Sequence, residues 1–217
     1  MTLPRPVRAV VFDMDGLIFD TESLYLVAMR RAVGALGLEL PTELVREMIG
    51  LTFETNRGQL LAHYGEGFAV DAFHEEAKRI YAELADTQLG LKSGVVELLD
   101  RLDALALPRA IATSSSRYNV DHHLGAHGLA ERFHVVSARG DYARSKPAPD
   151  PYLVAAGQLG IDPADCLALE DSHNGVRAAA AAGMMTVMVP DLLEATDEMH
   201  SLCVRIARDL HEVAAML

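Results

Sequence analysis

Four places in this chain set side chains able to carry charge or move protons where a ligand could meet them. The run Val10-Val11-Phe12 ends in Asp13-Met14-Asp15-Gly16, two carboxylates one residue apart. Arg109-Ala110-Ile111-Ala112 ends in Thr113 and Ser114. Lys146 stands in Arg144-Ser145-Lys146-Pro147-Ala148-Pro149-Asp150, a loop stiffened by its prolines. Cys166-Leu167-Ala168-Leu169 ends in Glu170-Asp171. Taken singly, each also reads as ordinary structure: Asp and Gly make turns, Ser and Thr cap helices, and a loop lysine is solvated. Together they read differently. Neighbouring carboxylates repel unless a cation or a shared proton offsets them. An all-oxygen acidic cluster suits Mg²⁺. A lysine and a hydroxyl beside the exposed N–H groups of a helix start suit an anion such as phosphate. No His/Cys group has zinc-ligand spacing, since His122 and His123 are adjacent in an expected helix. No Walker-type glycine-lysine loop is present to cradle a triphosphate.

The elements that must position these groups follow from periodicity. Short apolar runs bounded by turn signals predict buried parallel strands at Val7–Phe12, Arg109–Thr113, Phe133–Ser137, Cys166–Leu169 and Thr186–Val189, with a short last strand at Leu202–Ile206. Helical patterns separate them: one capped by Ser93, one from Arg117 to Ala126, one begun by Asp150-Pro151, one from Gly175 to Ala182 capped by Ser172, and one from Asp209. This alternation predicts a Rossmann-like, doubly wound parallel sheet. The first strand is followed instead by four helical patterns, begun by Asp20 or Thr21, Pro41, Thr52 or Thr55, and Asp71. The expected organisation is therefore a core of residues 1–19 and 87–217 with a helical cap, a candidate lid, at 20–86. If the strands are neighbours, all four polar ends meet at one rim, where open α/β sheets bind ligands.

Composition narrows the function. Half of the residues are hydrophobic, an ordinary globular share, and the formal net charge is −12, from 19 basic and 31 acidic residues. That disfavours binding to nucleic acid or an anionic membrane, both of which need a basic face. It leaves room for a small anionic substrate. The two cysteines, Cys166 and Cys203, give no disulfide framework, so a cytoplasmic location is expected. Neither a signal peptide nor a membrane span is expected. No surplus apolar face predicts a strong dimer; a monomer or weak homodimer is expected.

Asp13-Met14-Asp15-Gly16, Thr113, Lys146-Pro147 and Glu170-Asp171 resemble, in order, the four motifs of the haloacid dehalogenase-like superfamily. The likeness covers essentially the whole chain. The longer strings Asp20-Thr21-Glu22, Ala112-Thr113-Ser114-Ser115, Ser145-Lys146-Pro147-Ala148-Pro149-Asp150 and Glu170-Asp171-Ser172 resemble its helical-cap subgroup. That subgroup holds β-phosphoglucomutases, phosphoglycolate-type phosphatases and sugar- or pseudouridine-phosphate phosphatases. The resemblance implies a Mg²⁺-dependent phosphatase acting on a small phosphorylated metabolite. Asp13 would attack phosphorus and form an aspartyl-phosphate, and Asp15 would act as acid, then base. Mg²⁺ would be held by Asp13, the backbone carbonyl of Asp15 and Asp171, with Glu170 direct or through water. Thr113 and Lys146 would hold the phosphoryl oxygens, joined by the N–H of Ser114 and by Arg117. The mutases of the subgroup carry a cap arginine and an early cap histidine. Phe53, after Gly50-Leu51-Thr52, and Tyr25 stand there in this chain, which argues for a phosphatase; Arg57 or Arg79 could still supply the charge. A phosphosugar mutase is the second reading, and a non-catalytic phospholigand-binding protein the third.

Overall fold

The computed structural model describes residues 3–48 and 53–217. Contacts divide the chain into two compact units, Met1–Phe19 with Leu91–Leu217, and Asp20–Gly90. The first is a six-stranded parallel sheet flanked by helices. Its strands are β1 (Ala9–Phe12), β2 (Arg109–Ser116), β3 (Val135–Arg139), β4 (Cys166–Glu170), β5 (Met185–Met188) and β6 (Arg205–Ile206), in the order β3-β2-β1-β4-β5-β6. All four residues of β1 are buried, as expected of a strand covered on both faces. The doubly wound parallel sheet expected from sequence is the fold observed.

Register brings the polar ends together. Phe12 pairs with Ile111 of β2 and with Leu169 of β4. Asp13, Ala112 and Glu170 therefore follow at the same level, with Thr113 one residue on. The strand order also reverses at β1, the switch point where doubly wound sheets open a crevice.

One face of the sheet is lined by small residues. Ala9, Val11, Ala110, Ala112 and Ala168 pack with Ala155 and Ala156 of α7 (Asp150–Leu159) and with Ala178 and Ala179 of α8 (His173–Ala181). Small side chains let these helices approach closely and leave room for one large one, Tyr152, which is fully buried. Elsewhere α5 (Val95–Ala104) buries Val95, Leu98, Leu99 and Leu102 and packs on α10 (Leu210–Ala214). Its N-cap is Gly94, at φ 87°, rather than the expected Ser93. A Cβ there would lie 2.6 Å from the backbone N of His211, so both the left-handed backbone and the close approach require glycine.

Other boundaries also moved. β2 runs to Ser116 rather than stopping at Thr113, α6 (Arg117–Ala126) follows it directly, and β3 starts two residues later than expected. The α7 N-cap is Pro149, because the Asp150 carboxylate turns back to accept from the Arg144 backbone N–H at 3.1 Å. A helix, α9 (Asp197–Leu202), precedes β6; the Thr196 side chain caps it by accepting from Met199 N.

The second unit is helical throughout its described residues: α1 (Thr21–Gly34), α2 (Thr42–Met48), α3 (Phe53–Tyr64) and α4 (Val70–Gln88). Leu24, Ala28, Ala32 and Val33 of α1 are buried, as are Phe73, Ala77, Ile80 and Leu84 of α4, and the two helices pack together. Gly50, Leu51 and Thr52, assigned above to the mutase-like turn and to a helix cap, lie outside the described residues. Among the described residues no helix is long and apolar enough to cross a membrane.

Candidate active site

Asp13 follows β1 directly, and its backbone N–H donates to Leu169 O at 2.9 Å, which ties it to the end of β4. Its buried carboxylate accepts from the Lys146 ammonium through Oδ1. Lys146 Nζ also donates to Glu170 Oε1 at 2.6 Å and lies 5.0 Å from the centre of the Tyr152 ring. Burial works against a charged lysine, but Asp13 and Glu170 outweigh it and push the Lys146 pKa up. For Asp13, burial is the largest influence and raises its pKa; Glu170 and Asp15 raise it further, while Lys146 opposes them.

Glu170 is the anchor of this group. It is wholly buried, and both of its oxygens are saturated with donors. Oε1 accepts from Lys146 and from Tyr152 OH at 2.7 Å. Oε2 accepts from Asp171 N, Ser172 N and Ser172 Oγ at 3.0–3.1 Å. Ser172 Oγ in turn accepts from Gly175 N and caps α8. The carboxylate sits so close to α8 that a Cβ on Gly175 would fall 1.7 Å from Glu170 Oε1. Gly175 and Tyr152 were not singled out in the sequence. An Ala-rich helix hides the glycine, and Tyr152 reads as an ordinary core aromatic. In Tyr152→Phe the ring under Lys146 stays and the bond to Glu170 is lost. The expected cost is about 1–2 kcal/mol, read as a fall of a few degrees in Tm by calorimetry; an unchanged Tm would show that the hydroxyl contributes nothing.

Asp15 is held apart from this lysine-centred cluster. Its Oδ2 accepts from Thr113 Oγ1 at 3.2 Å and from Ser115 Oγ at 2.7 Å. Thr113 is fixed on both sides, by Ser115 N donating to its Oγ1 at 3.0 Å and by Tyr142 OH donating to its carbonyl at 2.9 Å. Ser114, named from the sequence, is exposed, and its carbonyl accepts from Arg139 Nε. Arg117 points elsewhere: it donates to Val136 O and pairs with Asp141 at 2.7 Å. In the helical unit Arg57 pairs with Asp71, and Arg79 with Glu76 and Glu83. Tyr25 OH meets His74 Nδ1 at 3.1 Å. The Phe53 side chain lies outside the description.

Asp13, Glu170 and Asp171 are all buried, and an oxygen of each lies within 4.8 Å of the others. Lys146 is the ammonium that faces Asp13 and Glu170. Buried carboxylates in excess of their cation are costly, and a hard divalent ion with oxygen ligands offsets them. Gly16 belongs to the same design. At φ 78° it turns the chain, and a Cβ there would lie 2.2 Å from Asp171 Oδ2. The donor set therefore fits a magnesium-type cation.

The chain is similar to known proteins. A 193-residue stretch is 39% identical to a protein of Drosophila melanogaster described as a probable pseudouridine-5'-phosphatase, covering 86% of this chain and 83% of that one. Protein CbbY of Cupriavidus necator is 36% identical over 213 residues, 88% of this chain and 81% of the relative. The crystal structure of CbbY from Rhodobacter sphaeroides in complex with phosphate superposes with a TM-score of 0.77 at 27% identity, covering 95% of this chain and 96% of that one. The haloacid dehalogenase-like hydrolase family matches residues 10–189, from β1 to just past β5. That span holds all four polar strand ends and the helical unit between the first two, so the chain belongs to the haloacid dehalogenase-like hydrolase family.

Proposed function

We propose that this family member hydrolyses a small phosphomonoester in two Mg²⁺-dependent steps through an aspartyl-phosphate on Asp13. It is a phosphate-ester hydrolase, in keeping with the phosphatase name of its Drosophila relative and the phosphate held by the CbbY structure. The observation that carries the mechanism is the separation of the two aspartates. Asp13 shares the buried lysine and the acidic cluster, while Asp15, two residues on, accepts from the hydroxyls of Thr113 and Ser115.

In the first step an oxygen of Asp13 attacks phosphorus; the new O–P bond forms as the ester P–O bond breaks. Asp15 gives its proton to the leaving alkoxide oxygen. In the second step Asp15 takes a proton from water, whose oxygen attacks phosphorus, and the Asp13 O–P bond breaks to release inorganic phosphate. The bonds from Thr113 and Ser115 keep the Asp15 carboxyl aimed at this task. Lys146 neutralises and orients the transferring oxygens, and the Thr113 hydroxyl, whose single proton goes to Asp15 here, would turn to join it. Asp13, Asp171 and the Asp15 carbonyl would hold Mg²⁺, with Glu170 joining directly or through water in place of one of the five hydrogen bonds that its oxygens now accept. When bound, Mg²⁺ supplies positive charge that offsets the phosphoryl oxygens. Ser114 and Arg117 are weaker parts of the reading, since the Ser114 carbonyl and the Arg117 guanidinium are engaged elsewhere.

The same reading makes the helical unit, Asp20–Gly90, a cap domain that selects the substrate. It also makes the protein a cytoplasmic monomer or weak homodimer, consistent with two cysteines outside any disulfide. The test is phosphate release from a panel of sugar, nucleoside and short-acid monophosphates. Turnover of at least one of them is expected, abolished by EDTA and restored by added Mg²⁺. Turnover equal with and without chelator would overturn the metal requirement.

A further inference from the structure

Asp191 is an acidic residue near the rim that the mechanism above does not use. Just past β5, Val189 N donates to Glu170 O at 2.7 Å. That bond sets the following residues, Pro190 and Asp191, beside the end of β4. The Asp191 side chain is 10% exposed. Its Oδ1 accepts from Lys92 Nζ at 2.6 Å. Its Oδ2 is buried and has no hydrogen-bond partner among the described residues. This oxygen faces the space over the Gly16 Cα, where a Cβ would lie 3.4 Å from it and 2.2 Å from Asp171 Oδ2. Asp191 and Asp171 thus flank one small gap, kept open by a residue with no side chain.

A buried carboxylate oxygen with no donor is an expensive arrangement unless something supplies one. Mg²⁺ keeps several of its waters when it binds a protein, and those waters are strong donors. We propose that Asp191 is a positioning residue of the metal site, accepting a hydrogen bond through Oδ2 from a water on the ion, with Lys92 holding the carboxylate in that orientation through Oδ1. The inference rests on the magnesium reading above. Lys92 orients Asp191 without adding a ligand of its own, and the two side chains have opposite electrostatic effects on a cation.

Mg²⁺ titration calorimetry of the whole chain tests this without any substrate. Asp191→Asn keeps the shape and the oxygen facing Lys92 but loses the charge. It is expected to weaken Mg²⁺ binding about 10-fold or more, in moderate salt and again in about 0.5 M KCl, where long-range charge effects are screened. Asp191→Ser is the second variant, with the same expectation. Lys92→Gln keeps an amide donor for Oδ1 and removes the positive charge, so it is expected to bind Mg²⁺ as tightly as wild type or more tightly. Wild-type affinity in Asp191→Asn would overturn the proposal and leave Asp191 as a partner for Lys92 alone. A weakening that disappears in high salt would overturn it too, since only a field effect would remain. If the wild-type chain itself bound no Mg²⁺, the magnesium reading would fail, and this proposal with it.

Discussion

Asp13→Asn is expected to lower kcat on the order of 10⁵-fold, the scale seen when a nucleophile is removed from a preorganised site. Its effect on stability should have the opposite sense. Asp13 is buried beside Glu170 and Asp15, and burial together with those carboxylates raises its pKa. An amide of the same shape removes that repulsion, while Lys146 keeps Glu170 as its partner. Tm is therefore expected to stay level or rise. A variant that lost activity by unfolding would show a lower Tm instead. Asp15→Asn should separate the two steps. With an aryl phosphate, whose leaving group needs little acid, the first step survives and the second lacks its base. A burst of phenolate followed by a steady rate lower by about 10²–10⁴-fold is the expected trace. An equal loss of burst and steady rate would place Asp15 in one role only.

The second large effect is expected at a residue with no side chain. Gly175→Ala would drive a methyl group into the Glu170 carboxylate, 1.7 Å from Oε1. Neither partner yields easily. The backbone of Gly175 is bonded to Ser172 Oγ, and Glu170 is held by Lys146, Tyr152, Asp171 and Ser172. Displacing Glu170 strands buried charge, at about 3–5 kcal/mol. For a chain of this size that is a fall of roughly 10 °C in Tm, together with loss of Mg²⁺ binding. Gly157→Ala in α7 is the control. Nothing lies within 4 Å of its added Cβ, so it is expected to be neutral or stabilising by up to about 1 kcal/mol. Equal Tm values for the two variants would refute the close packing of Glu170 on α8.

The strand ends were legible because their chemistry changes abruptly. Val10-Val11-Phe12 and Leu167-Ala168-Leu169 read as buried strands, and the residues after them carry charge that a buried strand end holds only with partners. Parallel register then does the rest. What the sequence hid depends on side-chain direction and on distant partners. Reading β2 as finished at Thr113 made Ser114 the next candidate. The strand continues to Ser116 through an irregularity in its pairing after Ala112; Thr113 and Ser115 both donate to Asp15, while Ser114 is exposed. The spacing Thr113-Ser114-Ser115 held that signal. Arg117 sat close in sequence to the rim, but Asp141, 24 residues on, decides where its guanidinium goes. Asp191 reads as a turn residue after Pro190. Its setting comes from Lys92, 99 residues earlier, and from a gap over Gly16, neither of which periodicity can reveal.

The central claim is a covalent bond between Asp13 and phosphorus, and rapid-quench peptide mass spectrometry addresses it directly. Asp15→Asn mixed with an aryl phosphate and Mg²⁺, then quenched in acid, is expected to carry one phosphoryl group on the peptide containing Asp13. Borohydride should convert that residue to homoserine, and Asp13→Asn should show neither change. Phosphate release with no phosphoryl group on Asp13 at any quench time, or turnover that persists in Asp13→Asn, would contradict the aspartyl-phosphate route.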